Sequence, residues 1–116
     1  MTSISSDVIR GYNDTMILYL LLKSPSYGYE ICKQIRTISE EKYVIKETTL
    51  YSAFTRLEKN GNIESYEDNS SGKKRTYYRI TPAGQQYYLE KCKEWTITQD
   101  VISKFILKGD LDNGSN

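Results

Sequence analysis

KETTLYSAFTRLEKNGNIESYEDNSSGKKRTYYRIT, residues 46–81, is the stretch whose periodicities decide the fold. From Glu47 onward Leu50, Ala53, Phe54 and Leu57 recur at helical spacing and form an inward face, leaving Thr48, Thr49, Ser52, Thr55, Arg56 and Lys59 outside. Asn60-Gly61 stops this helix, because glycine tolerates the left-handed backbone just past a helix end. Two runs rich in aromatic and β-branched residues follow, NIESYED and RTYYRIT, joined through Asn69-Ser70-Ser71-Gly72, which predicts a hairpin. On the second strand the period of two turns Tyr78 and Ile80 inward and Tyr77 and Arg79 outward. The spacing therefore predicts a mainly α domain with a two-stranded β-wing (α+β).

The chemistry of this stretch lies on its outer surfaces. Short hydroxyl side chains over the first two turns allow close approach to a duplex, and a cation one turn later reaches a base edge or a phosphate. Taken alone, the same face reads equally as an ordinary solvated one. Lys73, Lys74, Arg75 and Arg79 follow with no acid between Asn69 and Thr81, a run suited to displacing counterions along a phosphate backbone. The helix face and the cationic hairpin in direct succession point to a recognition helix followed by a basic wing.

Upstream, residues 7–23, DVIRGYNDTMILYLLLK, carry Val8, Ile9, Tyr12, Met16, Ile17, Tyr19, Leu20 and Leu21 at helical spacing. The apolar arc at 17–22 is too wide for one interface, so this helix is expected to have two partners, its own core and a further element such as a second subunit. Gly11 interrupts it at a cost of about 1 kcal/mol relative to alanine. Ser24-Pro25-Ser26 is a break, and Ser26 is the expected N-cap of a helix over 27–39, where Ile31, Ile35 and Ile38 form a stripe with Cys32 beside it. Tyr43-Val44-Ile45, aromatic and β-branched, has the composition of a short strand.

Downstream, Thr81 caps the last helix and Pro82 occupies its first turn. Tyr88, Cys92, Trp95, Gln99, Ile102 and Ile106 follow a four-three alternation, widened by Leu89, Val101 and Phe105. The preceding elements close a small core by themselves, so a further helix of roughly 25 residues with one apolar seam, ending at Gly109, needs a partner, and an identical subunit is the simplest. The expected organisation is a winged helix-turn-helix over 1–81, a dimerisation helix over 82–109 and a disordered tail over 110–116.

Composition narrows the function classes. At 116 residues and 38% hydrophobic the chain is expected to form one domain with one modest core. Charged residues make up 27% yet leave a net charge of +1, so only their distribution can speak for nucleic acid. No apolar run approaches the ~20 residues that span a bilayer, and the first residues lack a signal peptide's cationic and apolar regions, so a cytoplasmic protein without membrane contact is expected. Histidine is absent, which removes the commonest general base and metal ligand together. There is no Walker loop, GxGxxG or nucleophile elbow. No catalytic residue, metal ligand or cofactor is therefore assigned, and the chain is expected not to be an enzyme. Cys32 and Cys92 sit among apolar residues and read as reduced core cysteines.

Tyr27-Gly28-Tyr29-Glu30-Ile31, Thr49-Leu50-Tyr51, Arg56-Leu57-Glu58 with Gly61 and Ile63, and Gly72, Arg75, Tyr77, Tyr78 and Ile80-Thr81-Pro82-Ala83-Gly84 together carry a resemblance. Over about residues 7–108 the chain resembles the PadR family of bacterial transcriptional regulators, in particular its small members with a single C-terminal helix. The resemblance implies a homodimer on a palindromic double-stranded DNA operator, with recognition helices in successive major grooves and wings along flanking phosphates. It also implies repression of a nearby transporter or detoxification gene. Matched residue by residue, the DNA-facing positions are Thr48, Thr49, Tyr51, Ser52 and Arg56 on the helix and Lys73, Lys74, Arg75 and Tyr77 on the wing. Lys46 stands where members often carry a small polar residue, so the usual N-cap is replaced by a candidate phosphate contact.

In multidrug-responsive members a tryptophan at the position of Trp95 lines a flat apolar pore at the dimer interface and stacks on planar cationic drugs. The resemblance thus implies a planar hydrophobic or cationic small molecule as partner, with Glu94 and Asp100 as candidates to balance its charge. The spacing alone reads Trp95 as core of the dimer seam. A different function class, a winged-helix module that binds protein without reading DNA, is kept open by Glu58, Glu64, Glu67 and Asp68 and by the near-zero net charge.

Overall fold

The computed structural model describes residues 4–107, so Gly109 and the tail expected to be disordered lie outside the described residues. Helix α1 (Ser6–Ile9) opens the described chain, with the Ser5 side chain accepting from the Val8 amide. A 3₁₀ turn (Arg10–Tyr12) leads into α2 (Asn13–Lys23). The single helix expected over 7–23 is thus broken at Gly11, where the weak helix former leaves the tighter turn as the local solution. Helix α2 is the hub of the domain, touching α3 (Gly28–Ile38), α4 (Glu47–Lys59), α5 (Pro82–Ser103) and the sheet. Its Ile17, Leu18, Leu20 and Leu21 are buried, and Tyr19, on the outer arc, meets Tyr88 of α5 at 6.5 Å between ring centres. Part of the second interface anticipated for this helix is therefore made within the same chain.

The sheet has three antiparallel strands where two were expected. Strand β1 (Ser26–Tyr27) pairs with β3 (Arg75–Ile80), which pairs in turn with β2 (Ile63–Asp68), giving the order β1-β3-β2. Ser26 is consequently a buried strand residue facing Tyr78 and not the N-cap of α3; that position falls to Tyr27, which makes no side-chain capping bond. Burial of a strand edge against β3 outweighs one capping bond, since the pairing satisfies backbone groups that a cap would leave to water. The strand expected at 43–45 does not form either. Tyr43 is held by its hydroxyl donating to Asn13 Oδ1 (2.7 Å) and by its amide donating to Ser39 Oγ (3.1 Å), while Ile45 plugs into the core.

The core is Ile17, Leu18, Leu20, Leu21, Ile31, Ile35, Ile45, Leu50, Ala53, Phe54, Leu57, Ile63 and Tyr78, which includes the whole inward face expected for α4. Phe54 stacks on Tyr78 with ring centres 3.9 Å apart, joining the α4 face to the inner face of the sheet. Helix α5 begins as expected, Thr81 Oγ1 accepting from the Gly84 amide with Pro82 behind it. It ends at Ser103, short of the expected Gly109. There the Ser103 hydroxyl donates to the Asp100 carbonyl, and residues 104–106 tighten into turns such as Phe105 N–H to Ile102 O (2.9 Å). Among the described residues no helix is long and apolar enough to cross a membrane.

Candidate nucleic-acid interface and apolar groove

Helix α4 starts at Glu47 behind Lys46, whose backbone is extended and whose side chain makes no capping bond. Its far end is closed by a paired motif: the Gly61 amide donates to Glu58 O (3.0 Å) and the Asn62 amide to Leu57 O (2.9 Å), with Gly61 at φ +78°. With both ends set and Leu50, Ala53, Phe54 and Leu57 buried, the remaining residues divide by their angle around the axis. Thr48, Ser52, Thr55 and Lys59 stand opposite the core and are exposed. Tyr51 and Glu58 lie on one flank, Thr49 and Arg56 on the other.

The two flanks are tied down. Tyr51 is 45% exposed, but its ring meets Phe54 edge-on at 5.4 Å, and its hydroxyl occupies the space a side chain at Gly28 would need, 2.3 Å from the Cβ position. Glu58 accepts from the Ser65 hydroxyl of β2 (2.7 Å). On the opposite flank Arg56 reaches Asp14 of α2, with Nε 3.4 Å from Oδ2 and Nη2 bonded to Oδ1. The carboxylate keeps the guanidinium charge even more firmly in place than usual. Thr48, Thr49, Ser52 and Arg56 form one wall of an open cleft of about 450 Å³, whose other wall includes Arg10, Asn13 and Lys91.

The wing carries its cations in company. Cross-strand register sets Asp68 opposite Arg75, Tyr66 opposite Tyr77 and Glu64 opposite Arg79. Lys74 pairs with Glu67 (3.4 Å) and Arg79 with Glu64 (3.1 Å). On the outer face Tyr27, Tyr77 and Tyr66 form a row across all three strands, with centres 5.1 and 5.8 Å apart. Arg75 lies 4.5 Å over Tyr27 and Arg79 4.8 Å over Tyr66, so a guanidinium sits against each end of the row. Lys73 makes no ion pair among the described residues. The hairpin tip is held by Asp68, whose carboxylate accepts from the Ser70 amide (2.7 Å), and by Gly72 at φ +85°; the Ser70 side chain first and its amide second keep that carboxylate below the usual range. These surface pairs are individually worth little, typically about 0–1 kcal/mol, and yield readily to a phosphate.

The residues of the expected seam do share a surface. Tyr88, Cys92, Trp95, Gln99, Ile102 and Ile106 line a groove of about 980 Å³ whose opposite wall is Ile4, Val8, Ile9 and Tyr12 of the same chain. Trp95, 46% exposed, meets Tyr12 edge-on at 5.4 Å. The Tyr88 hydroxyl is pushed up to about 12 by the neighbouring Cys92 thiol and by burial. Asp100, expected beside a ligand, does not line this groove and pairs instead with Lys104 (3.0 Å); five residues beyond Trp95 it is turned to another side of the helix. Glu94 pairs with Lys91 (2.9 Å) and, with Trp95, lines a neighbouring hollow of about 340 Å³. Cys92 and Cys32 are both free and half-buried, and burial pushes the Cys32 thiol up.

Spacing did not point to Asp14, Lys91 or Tyr27. Asp14 is 42 residues from Arg56, and nothing local to either residue marks their meeting. The acids facing the wing cations are different, since pairing the two strands in hairpin register brings Glu64, Glu67 and Asp68 across from them.

A family model described as the Transcriptional regulator PadR-like family matches residues 17–90, stopping inside α5 before Trp95. A transcriptional regulator from Clostridium thermocellum is similar with a TM-score of 0.84 at 63% identity, covering 90% of this chain and 99% of its own. A PadR family transcription regulator from Clostridium difficile gives 0.72 at 38% identity, with 81% and 97% covered. An uncharacterised protein of Lysinibacillus sphaericus is 46% identical over 104 residues, 89% of this chain and 95% of its own.

Proposed function

The chain belongs to the PadR-like family of transcriptional regulators, and from that premise we propose that it is a homodimeric repressor that reads a palindromic operator in the cytoplasm. Membership makes it a regulator of transcription and not an enzyme. The observation that carries the finer reading is the exposed stripe Thr48, Ser52, Thr55 and Lys59 on α4, followed at once by the cationic hairpin. A helix with that stripe fits a major groove, and Lys73, Lys74, Arg75 and Tyr77 then fall along flanking phosphates. Lys46 adds a phosphate contact at the helix start. Residues 1–81 hold the DNA, and 82–109 bring in the second copy about 34 Å away. The regulated gene is a nearby transporter or detoxification gene, and a planar hydrophobic or cationic molecule entering the groove beside Trp95 releases the operator.

The test is the salt dependence of duplex binding. Replacing Lys73, Lys74 and Arg75 with alanine should weaken binding to every duplex and flatten the salt slope by up to about 0.9 per lost phosphate contact. An unchanged slope would sink the wing's role. A second reading, a protein-binding winged helix, is favoured by the acids that already pair Lys74 and Arg79. Titration with random duplex at low salt separates the two: a DNA binder shows non-specific affinity of the order of 10⁻⁴–10⁻⁶ M and a protein-binding module shows none.

A further inference from the structure

Arg56 is the one guanidinium on α4, and its orientation is set from outside the helix. Asp14 takes Nε–H and one Nη2–H through two separate oxygens, so the ring of donors is held in a plane fixed relative to α2. Asp14 is 12% exposed and Arg56 51%, so the carboxylate is enclosed while about half of the arginine side chain stays open to solvent, with Nη1 making no hydrogen bond among the described residues. The free edge of the guanidinium consists of Nη1 and the second Nη2–H, a planar fork. A fork of this kind matches the adjacent O6 and N7 acceptors of a guanine in the major groove, the commonest specific contact of arginine with a base. An unsupported arginine would lose side-chain freedom on making this contact, whereas one already held by a carboxylate loses less.

We propose that Asp14 is a specificity-determining residue that holds Arg56 as a reader of guanine, one base pair per half-site. This rests on the DNA-binding reading above and goes beyond it by assigning a base and a supporting residue on another helix. The role predicts opposite effects of one substitution. Removing the Asp14 charge frees Arg56 and leaves the cleft with Arg10 and Lys91 more cationic, so base discrimination falls while affinity for arbitrary duplex holds or rises. A purely structural role for the ion pair would lower both together.

The experiment uses the full chain and a random-sequence duplex pool, selected and sequenced for the wild type, Asp14→Asn and Arg56→Lys. Each protein is also titrated against a fixed duplex lacking the selected site. The wild type should enrich a guanine at one position of each half-site. Asp14→Asn and Arg56→Lys should each lose that preference by about 5–150-fold, the range of one good bidentate base contact. Asp14→Asn should bind the fixed duplex as well as the wild type or better. Arg56→Lys keeps the charge and removes the fork, so it reports on the contact even if Asp14→Asn fails to fold. Retained guanine preference in either variant overturns the proposal. Parallel loss of selected and fixed-duplex binding makes Arg56 a phosphate anchor and also overturns it. A wild type that binds duplex but enriches no guanine removes the inference alone, whereas a wild type that binds no duplex removes the DNA-binding reading with it.

Discussion

Gly84 sits where α5 begins, and a methyl group there would lie 2.0 Å from the Asn62 carbonyl oxygen and 2.8 Å from Ile80 Cγ1. The close approach lets the Thr81 amide donate to that same Asn62 carbonyl (3.1 Å) while the Thr81 hydroxyl donates to Gly61 O (2.6 Å) and accepts from the Gly84 amide. One glycine and one threonine thus join the end of α4, the end of β3 and the start of α5. Gly84→Ala should destabilise the domain by about 1–3 kcal/mol or more in urea unfolding, although alanine is the better helix former by about 1 kcal/mol. Stability equal to the wild type would mean the backbone at Asn62 moves freely, contrary to the packing. Thr81→Ala should cost about 0.5–2 kcal/mol through the lost cap.

Among the elements, the sheet departs most from expectation, and its third strand changes what the wing is. A free two-stranded hairpin is marginal in water, whereas β1 joins this one to the start of α3 through Ser26–Tyr78 and Tyr27–Tyr77. Tyr27 then gives Arg75 a ring to lie on. Tyr27→Leu keeps a strand-compatible residue and removes one aromatic pair and one cation–π contact, for an expected loss of about 1–2 kcal/mol in urea unfolding. Tyr66→Leu, at the other end of the row, removes the ring under Arg79 and leaves β1 in place; a larger effect there than at Tyr27 would show that β1 contributes little. The hairpin itself was legible from alternation and turn residues. Strand β1 was not, because two residues carry no periodicity and Pro25-Ser26 reads as a helix start.

For the molecule as a whole, α5 is the element that a single chain leaves least covered. Its base is embedded by Gly84 and Tyr88, but Trp95, Ile97, Val101 and Ile102, with Phe105 and Ile106 just beyond its end, are all exposed in the single chain. Ile97 and Val101 on the helix, followed by Phe105 in the turn beyond it, recur every four residues and do not line the groove, so the described C-terminal segment carries a second apolar stripe where spacing suggested one widened seam. Exposed apolar surface of this extent calls for a partner. Sedimentation should therefore give a dimer at micromolar concentration, and a stable particle of 13.5 kDa would refute the two-half-site scheme. Phe105→Glu and Ile102→Glu, one on each stripe, should both shift the equilibrium toward monomer. The lone Trp95 should be quenched by planar aromatic cations and not by neutral analogues of the same size; no response across a broad panel would leave it as packing.

The patterns of residues 46–81 determined the inward face of α4, its glycine stop, the hairpin and the place of the cations, because each is a local periodicity or a backbone requirement readable over a few residues. The family's motifs are likewise strings of neighbouring residues, which is why the resemblance and the matched family model agree over 17–90. Tertiary structure alone decided the rest: the strand at Ser26–Tyr27, the turn of Asp100 away from Trp95, the groove between α5 and the N-terminal segment, and the meeting of Asp14 with Arg56. These depend on elements far apart in the chain being brought together by a shared core, and a single side chain leaves no periodic trace of the partner it meets that way.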